Sequence, residues 1–292
     1  MKYTCHSETG KIKRIIIKPA ENAFDSDSRL EREWKNLNFL GKPDFGGALS
    51  EYRDFEAYIR QSGAQIDYLP QAEISIDSIY CRDASIATDF GMILCTMGKE
   101  NRLDEPAEAR KLYESLGIQI LGEITAPGTV EGGDVAWLDE KTLAVGHTYR
   151  TNEEGIAQLR NLLEPHGVSV VSYSLPHFRG QSDVFHLMSI FSPVAKNIAV
   201  VYSPLMPISF RNELLKRGYR LVEVPEEEYD SMGCNVLALE DSVCLMVKGN
   251  PVTKQRLLDA GCTVHEYTGN EISVKGGGGP TCLTRPLERL AD

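Results

Sequence analysis

The chain has 292 residues, 42% hydrophobic and 25% charged, with a formal net charge of −11 at pH 7. That composition belongs to a globular chain with a sizeable core, argues against a nucleic-acid partner and mildly favours a cationic ligand. No apolar run is long enough to span a bilayer, and residues 1–5 open polar, without the apolar core of a secretory signal.

In chain order, residues 11–18 (KIKRIIIK) predict a buried β-strand ended by Pro19. Residues 20–47 are polar, carry Asn22, Asp25, Asp27, Asn36 and Gly41, and lack clean periodicity. The stretch is long for a passive connector, so a lid or binding loop is expected there. From that point one pattern recurs five times: an amphipathic helix that ends at a glycine, then at once a short strand. The helices are expected at 49–62, 105–116, 152–166, 209–217 and 251–260, followed by Gly63, Gly117, Gly167, Gly218 and Gly261. Each glycine stands where a helix C-terminus favours a left-handed residue. They lie 54, 50, 51 and 43 residues apart, and self-similarity at such a period marks a repeat architecture. Further strands are expected at 86–95 (turned at Gly91), 135–145, 198–202, 236–239 and 242–247. Helices alternating with strands predict α/β layers. An ordinary doubly wound sheet would fit the alternation, but five near-equal periods favour a closed, pseudo-fivefold ring. No linker divides the chain, so residues 1–292 are expected to form a single domain. Seven scattered cysteines without a CxxC pair fit neither a disulfide framework nor a zinc site, and predict a reduced, cytoplasmic protein.

The conspicuous polar residues recur at one place in each repeat. Asp83 follows Gly63 by 20 residues, Glu131 and Asp134 follow Gly117 by 14 and 17, and His186 follows Gly167 by 19. Asn235 follows Gly218 by 17, and Cys282 follows Gly261 by 21. Taken singly, Asp83 could cap a turn, Glu131-Gly-Gly-Asp134 could close a hairpin, and His186 could be a satisfied core histidine. Cys282 ends the run Gly276-Gly277-Gly278-Gly279-Pro280-Thr281, which allows a backbone path and a ligand approach that side chains would resist. If the units surround an axis, these positions converge, and a thiol, an imidazole and carboxylates face one another as a Cys-His-acid site requires.

At this point the residues resemble a family. Glu131-Gly-Gly-Asp134, His186 and the glycine-rich run into Cys282 resemble the guanidino-group-modifying enzymes over nearly the whole chain. That family includes arginine deiminases, amidinotransferases and dimethylarginine dimethylaminohydrolases, which share a five-bladed α/β propeller called the pentein fold. Tyr80-Cys81-Arg82-Asp83 is similar to the family's aromatic-x-Arg-Asp guanidine-binding segment. Arg150-Thr-Asn resembles the segment whose arginine holds the substrate α-carboxylate, and Arg102 stands where a second such arginine is expected. The resemblance implies a small-molecule guanidino substrate, with Asp83 and Asp134 gripping its N–H edge. It implies Cys282 as nucleophile, His186 as general acid and base, and Glu131 orienting His186, with no metal and no organic cofactor. A homodimer is compatible with this reading; nucleic-acid and membrane partners are not expected.

Two residues bear on which guanidine is used. Two positions after the histidine, deiminases and amidinotransferases carry an aspartate and methylarginine hydrolases typically a lysine; this chain has Met188. A thioether accepts hydrogen bonds weakly and suits an alkylated nitrogen. The Arg82-Asp83 pair points the other way, toward deiminases. Hydrolysis of an Nω-substituted arginine to citrulline is therefore expected, with a deiminase or dihydrolase acting on free arginine as the alternative. Amidino transfer, with an amine in place of water, and a non-catalytic pentein-fold binding protein are the remaining readings.

Overall fold

A computed structural model of the chain describes residues 3–291. Five small mixed sheets carry the fold. Four follow one plan: an antiparallel hairpin, a helix leaving its second strand, and a third strand returning parallel to the second. The hairpins are Ser85–Thr88 with Gly91–Leu94, Val135–Asp139 with Thr142–His147, Phe191–Ala195 with Ile198–Val201, and Leu237–Glu240 with Val243–Val247. The helices Glu105–Ser115, Glu153–Leu163, Ile208–Lys216 and Pro251–Asp259 lead to strands Ile120–Glu123, Ser169–Ser174, Arg220–Glu223 and Thr263–Tyr267. Parallel neighbours need such a crossover, which is why a helix separates each pair.

The remaining sheet joins the two ends of the chain. Thr284–Leu290 pairs antiparallel with Ile12–Ile17, which continues through helix Phe45–Gln61 to the parallel strand Gln65–Tyr68, while Tyr3–Thr4 lies on the outer edge. Helix Phe45–Gln61 buries Ala48, Tyr52, Phe55 and Ile59, an apolar stripe at helical spacing. All five repeat glycines are left-handed, with φ of 78°, 68°, 79°, 82° and 94°, as their positions after the helices predict. Among the described residues no helix is long and apolar enough to cross a membrane. The seven cysteines are free.

Two stretches differ from expectation, and two further strands are not among those expected. Residues 20–47 are not an irregular loop: Ala20–Phe24 and Asp27–Glu33 are helical, and Ser26 and Asp44 accept N-cap bonds from Arg29 and Gly47. Short capped helices leave too few turns for a periodic signature. The stretch 135–145 is a hairpin rather than one strand, turned where Asp139 accepts the Lys141 N–H at 2.7 Å. Strands Phe191–Ala195 and Thr284–Leu290 carry Pro193 and Pro286, which argue against a strand in sequence. Both prolines border a shift in pairing register, where a missing N–H is tolerated.

Candidate active site

In each repeat the link from the third strand to the next unit's first strand delivers one part of the site. Asp83 immediately precedes Ser85–Thr88, Glu131 precedes Val135–Asp139, His186 precedes Phe191–Ala195, Asn235 precedes Leu237–Glu240, and Cys282 precedes Thr284–Leu290. The backbone fastens these links together. Arg82 N–H donates to the Cys282 carbonyl at 3.2 Å, and Gly132 N–H to the Asp83 carbonyl at 2.9 Å. The links carrying Asp83, His186, Asn235 and Cys282 border a cavity of about 460 Å³, lined by Tyr80, Asp83, Arg102, Arg150, His186 and Cys282 together with Met188 and Asn235.

The glycine run is shaped by its neighbours. A Cβ at Gly276 or Gly278 would overlap the Tyr80 side chain, and one at Gly279 would lie 2.5 Å from Asn235 Oδ1. Gly277 is left-handed, with φ of 76°. Gly277 and Gly278 N–H both donate to the Ser273 carbonyl, at 2.8 and 3.1 Å, and Thr284 Oγ1 donates to the Pro280 carbonyl at 3.0 Å. Helix Phe45–Gln61 braces the segment from outside. Its Glu51 carboxylate accepts the N–H groups of Asn270, Glu271 and Ile272 at 3.1, 2.7 and 3.2 Å. Cys282 thus sits at the end of a loop held at both ends.

Its thiol is buried, and Sγ accepts a hydrogen bond from Asn235 Nδ2 at 3.3 Å. Burial first, then the Asp83 carboxylate, push the thiol above its ordinary pKa, against the Asn235 donor. These surroundings favour the neutral thiol over the thiolate.

His186 is buried, with Nε2 2.7 Å from Glu131 Oε2 and Nδ1 4.0 Å from Asp83 Oδ1. Burial opposes a charged ring, but Asp134, Asp83 and Glu131 together raise its pKa from 6.5 to about 9. Glu131 has no exposed surface. Its Oε1 accepts the Gly98 and Lys99 N–H groups, both at 3.1 Å, and Arg150 Nη1 at 3.3 Å. Burial works against its charge, yet the His186 bond and the nearby cations hold its carboxyl below the usual carboxylate range. Gly133 admits this arrangement, since a Cβ there would strike His186 Nδ1 and lie 2.8 Å from Asp83 Oδ1.

Asp83 is half satisfied. Oδ2 accepts from Arg102 Nη1 at 2.7 Å, whereas Oδ1 is buried with no hydrogen-bond partner among the described residues. A buried carboxylate oxygen without a hydrogen bond, in a residue that lines a cavity, is an acceptor awaiting a donor.

The other expected site residues divide. Tyr80 lines the cavity, donates to the Ile272 carbonyl at 3.1 Å and packs beneath the glycine run. Arg150 lines the cavity and meets Glu131 through Nη1. Arg102 lines it too, but Nε and Nη2 bind Glu105 at 2.8 Å, Nη2 also donates to the Tyr80 carbonyl, and Nη1 holds Asp83. With its donors so engaged, it positions Asp83 instead of standing ready for a substrate carboxylate. Asp134 does not line the cavity: Oδ1 accepts the Leu187 N–H at 3.0 Å and Oδ2 the Thr148 hydroxyl at 2.7 Å. Burial raises its pKa to about 6. Its place is behind His186, where it fixes the following turn. Arg82 turns away altogether, with Nη2 on both Glu8 oxygens at 3.1 and 3.0 Å. Arg82 and Asp83 lie in the turn that leads into Ser85–Thr88, where neighbouring side chains diverge.

Sequence reasoning assigned no role to Lys99 and Asp77. Lys99 Nζ reaches Asp77 Oδ2 at 2.5 Å and the Leu37 carbonyl at 2.8 Å. This ties the cavity wall at Leu37, Asn38 and Leu40 to the site, so part of the 20–47 stretch does border the cavity. No local motif announces a lysine paired across 22 residues. Ligating atoms of Asp83, Glu131 and His186 lie within 4.8 Å of one another, near enough to hold an ion. Glu131 and His186 already share the hydrogen bond between Oε2 and Nε2.

A model of the family described as N,N dimethylarginine dimethylhydrolase, eukaryotic, matches residues 35–289. The N(G),N(G)-dimethylarginine dimethylaminohydrolase of Streptomyces coelicolor is 31% identical over 258 residues, covering 86% of this chain and 90% of that protein. A solved Pseudomonas aeruginosa dimethylarginine dimethylaminohydrolase mutant, complexed with citrulline, superposes with a TM-score of 0.76 at 26% identity, covering 94% of this chain and 98% of that one. The N-terminal domain of ArgZ, a cyanobacterial arginine dihydrolase bound to substrate, superposes with a TM-score of 0.79 at 20% identity, over 94% of this chain and 97% of that one, and shares the fold.

Proposed function

Because the chain belongs to the N,N dimethylarginine dimethylhydrolase family, we propose that it is a cysteine hydrolase converting an Nω-substituted arginine to citrulline and an amine. The observation that carries this reading is Asp83, which lines the same cavity as Cys282 and His186 and whose buried Oδ1 has no hydrogen-bond partner among the described residues. A guanidinium offers planar, charge-assisted N–H donors to such an oxygen. We take the five sheets to stand around a common axis as one propeller-like catalytic domain, since the incoming links of four sheets line this cavity and that of the fifth sets Glu131 against His186.

The chemistry follows from the site's resting charges. The thiol of Cys282 is neutral until a cation arrives; a guanidinium within a few ångströms favours the thiolate. The thiolate attacks the guanidinium carbon, forming a C–S bond. His186, protonated near neutral pH because its pKa is raised to about 9, gives its proton to the departing nitrogen as the C–N bond breaks. That leaves a thiouronium on Cys282. The now neutral His186 takes a proton from water, whose oxygen adds to the same carbon, and the C–S bond breaks to release citrulline. Glu131 steadies the ring and its charge throughout. Arg150 is the cation for the substrate carboxylate. No step calls on a metal or an organic cofactor.

Met188 supports the substituted guanidine. It lines the cavity and is 2% exposed, in the same core cluster as Cys234, so it presents an apolar surface where an aspartate would present an acceptor. The counter-argument from Arg82 lapses, since that side chain is bound to Glu8 away from the cavity. The test is mass spectrometry of products from arginine, monomethylarginine and dimethylarginine. Citrulline should form faster from the methylated compounds. Preference for arginine by about tenfold, which is 1.4 kcal/mol, would replace this reading with a deiminase. Transfer of the amidino group to an added amine would replace hydrolysis.

A further inference from the structure

One polar residue of the site has no place in the chemistry above. Asn235 occupies the fourth repeat's equivalent position, ahead of strand Leu237–Glu240, and it is buried with only 6% of its surface exposed. Its carboxamide meets three atoms. Nδ2 lies 3.3 Å from Cys282 Sγ, and Oδ1 lies 3.0 Å from Thr281 N and 2.8 Å from Thr281 Oγ1.

The orientation of the amide is dictated chemically. A backbone N–H only donates, so the atom facing Thr281 N must be the oxygen, and the NH₂ must face the sulfur. The Thr281 hydroxyl has one proton. It is 2.8 Å from Oδ1 but 3.8 Å from Sγ, so that proton goes to the carboxamide and the hydroxyl is no donor to the sulfur. Both lone pairs of Oδ1 are then taken, which rules out Asn235 as an acceptor for the substrate's N–H groups. Gly279 belongs to the same device, because a Cβ there would crowd Oδ1 at 2.5 Å.

We propose that Asn235 is a catalytic residue, the N–H donor that stabilises the Cys282 thiolate as it forms ahead of attack and again when the C–S bond breaks. The inference rests on Cys282 being the nucleophile, and it is independent of which guanidine is used. At both moments negative charge gathers on sulfur, inside a site where Asp83 opposes it. A fixed donor aimed at that atom needs no reorganisation as the charge develops. Thr281 keeps the donor aimed, and the glycine run makes room for it.

The test reads thiolate formation without substrate. The full-length enzyme is alkylated with iodoacetamide, a neutral probe, across pH, and modification of Cys282 is followed by peptide mass. Asn235→Asp is the decisive variant. It keeps the shape and an acceptor for both Thr281 donors, removes the donor to sulfur and puts a carboxylate oxygen in its place. The midpoint of Cys282 alkylation should rise by at least about one pH unit, a tenfold smaller thiolate fraction below the midpoint. With substrate, kcat should fall about a hundredfold while KM stays level or falls, since an added carboxylate does not repel a cation. Asn235→Ser, which retains a short polar group but lacks the amide arm, should shift the midpoint in the same direction. Thr281→Val should move it much less. Coincident alkylation profiles for wild type and both Asn235 variants overturn the proposal. So does a larger shift in Thr281→Val than in Asn235→Asp. If none of the arginine derivatives is hydrolysed but the alkylation shifts appear, the donor role stands and the substrate assignment falls.

Discussion

Glu131→Gln tests the charge balance on which the site depends. The glutamine has the same shape, and its amide oxygen can still accept the Gly98 and Lys99 N–H groups now held by Oε1 at 3.1 Å. The NH₂ then faces His186 Nε2, where the carboxylate oxygen stood at 2.7 Å. A donor facing a ring N–H favours loss of the ring proton, so the variant reverses the preference of the native pair. In the native protein the ring's pKa rises from 6.5 to about 9 against the cost of burial, through Asp134, Asp83 and Glu131. That rise corresponds to roughly 3 kcal/mol in favour of the charged ring. Asp134 and Asp83 remain in the variant, so the alkaline limb of kcat should move down by about one to two pH units without vanishing. The sign for stability follows. A raised histidine pKa contributes stability in full below 6.5 and loses it as pH rises through about 9. The variant should lose that contribution at lower pH and be less stable at neutrality, by up to about 3–5 kcal/mol for one broken side of a buried pair. Initial rates of citrulline formation from about pH 5 to about pH 10, with melting curves at the same pH values, read both. An alkaline limb that stays near 9 while activity falls equally at every pH would refute the reasoning and leave Glu131 a packing residue.

Three further outcomes are expected. Cys282→Ser should keep the fold and lose turnover, because a hydroxyl stays neutral at working pH; appreciable citrulline from the variant counts against covalent attack by this residue. Arg150→Ala should raise KM for substrates with a free α-carboxylate by about tenfold or more, as loss of a charged hydrogen bond of about 1.5–3 kcal/mol implies. Equal loss on a carboxamide substrate would deny that role. Gly133→Ala places a methyl against His186 Nδ1 and Asp83 Oδ1, so kcat should drop and stability fall by about 1–3 kcal/mol from overpacking; a fully active variant would show that the ring does not sit there.

The repeat pattern could be read from the chain because its signals are local. A helix that must end before a strand needs a left-handed residue, and glycine supplies it at Gly63, Gly117, Gly167, Gly218 and Gly261. The equivalent placement of Asp83, Glu131, His186, Asn235 and Cys282 is also local, since each lies a similar distance beyond its glycine. Those two facts bring a thiol, an imidazole and carboxylates to one cavity without knowledge of any contact. Where prolines stand in strands, as at Pro193 and Pro286, local rules mislead, because tolerance depends on the partner strand's register. The division of labour among the charged residues lies wholly in the tertiary structure. Arg82 and Asp83 are adjacent in the chain, yet one binds Glu8 behind the site and the other lines the cavity. Asp134 and Glu131 are three residues apart, and one holds the Leu187 turn while the other holds His186. Arg102 looks like a free cation until Glu105 and Asp83 are seen to occupy it. Residue type records which charges a chain carries. Which of them are neutralised is set by side chains that arrive from other repeats and by the burial that makes pairing obligatory.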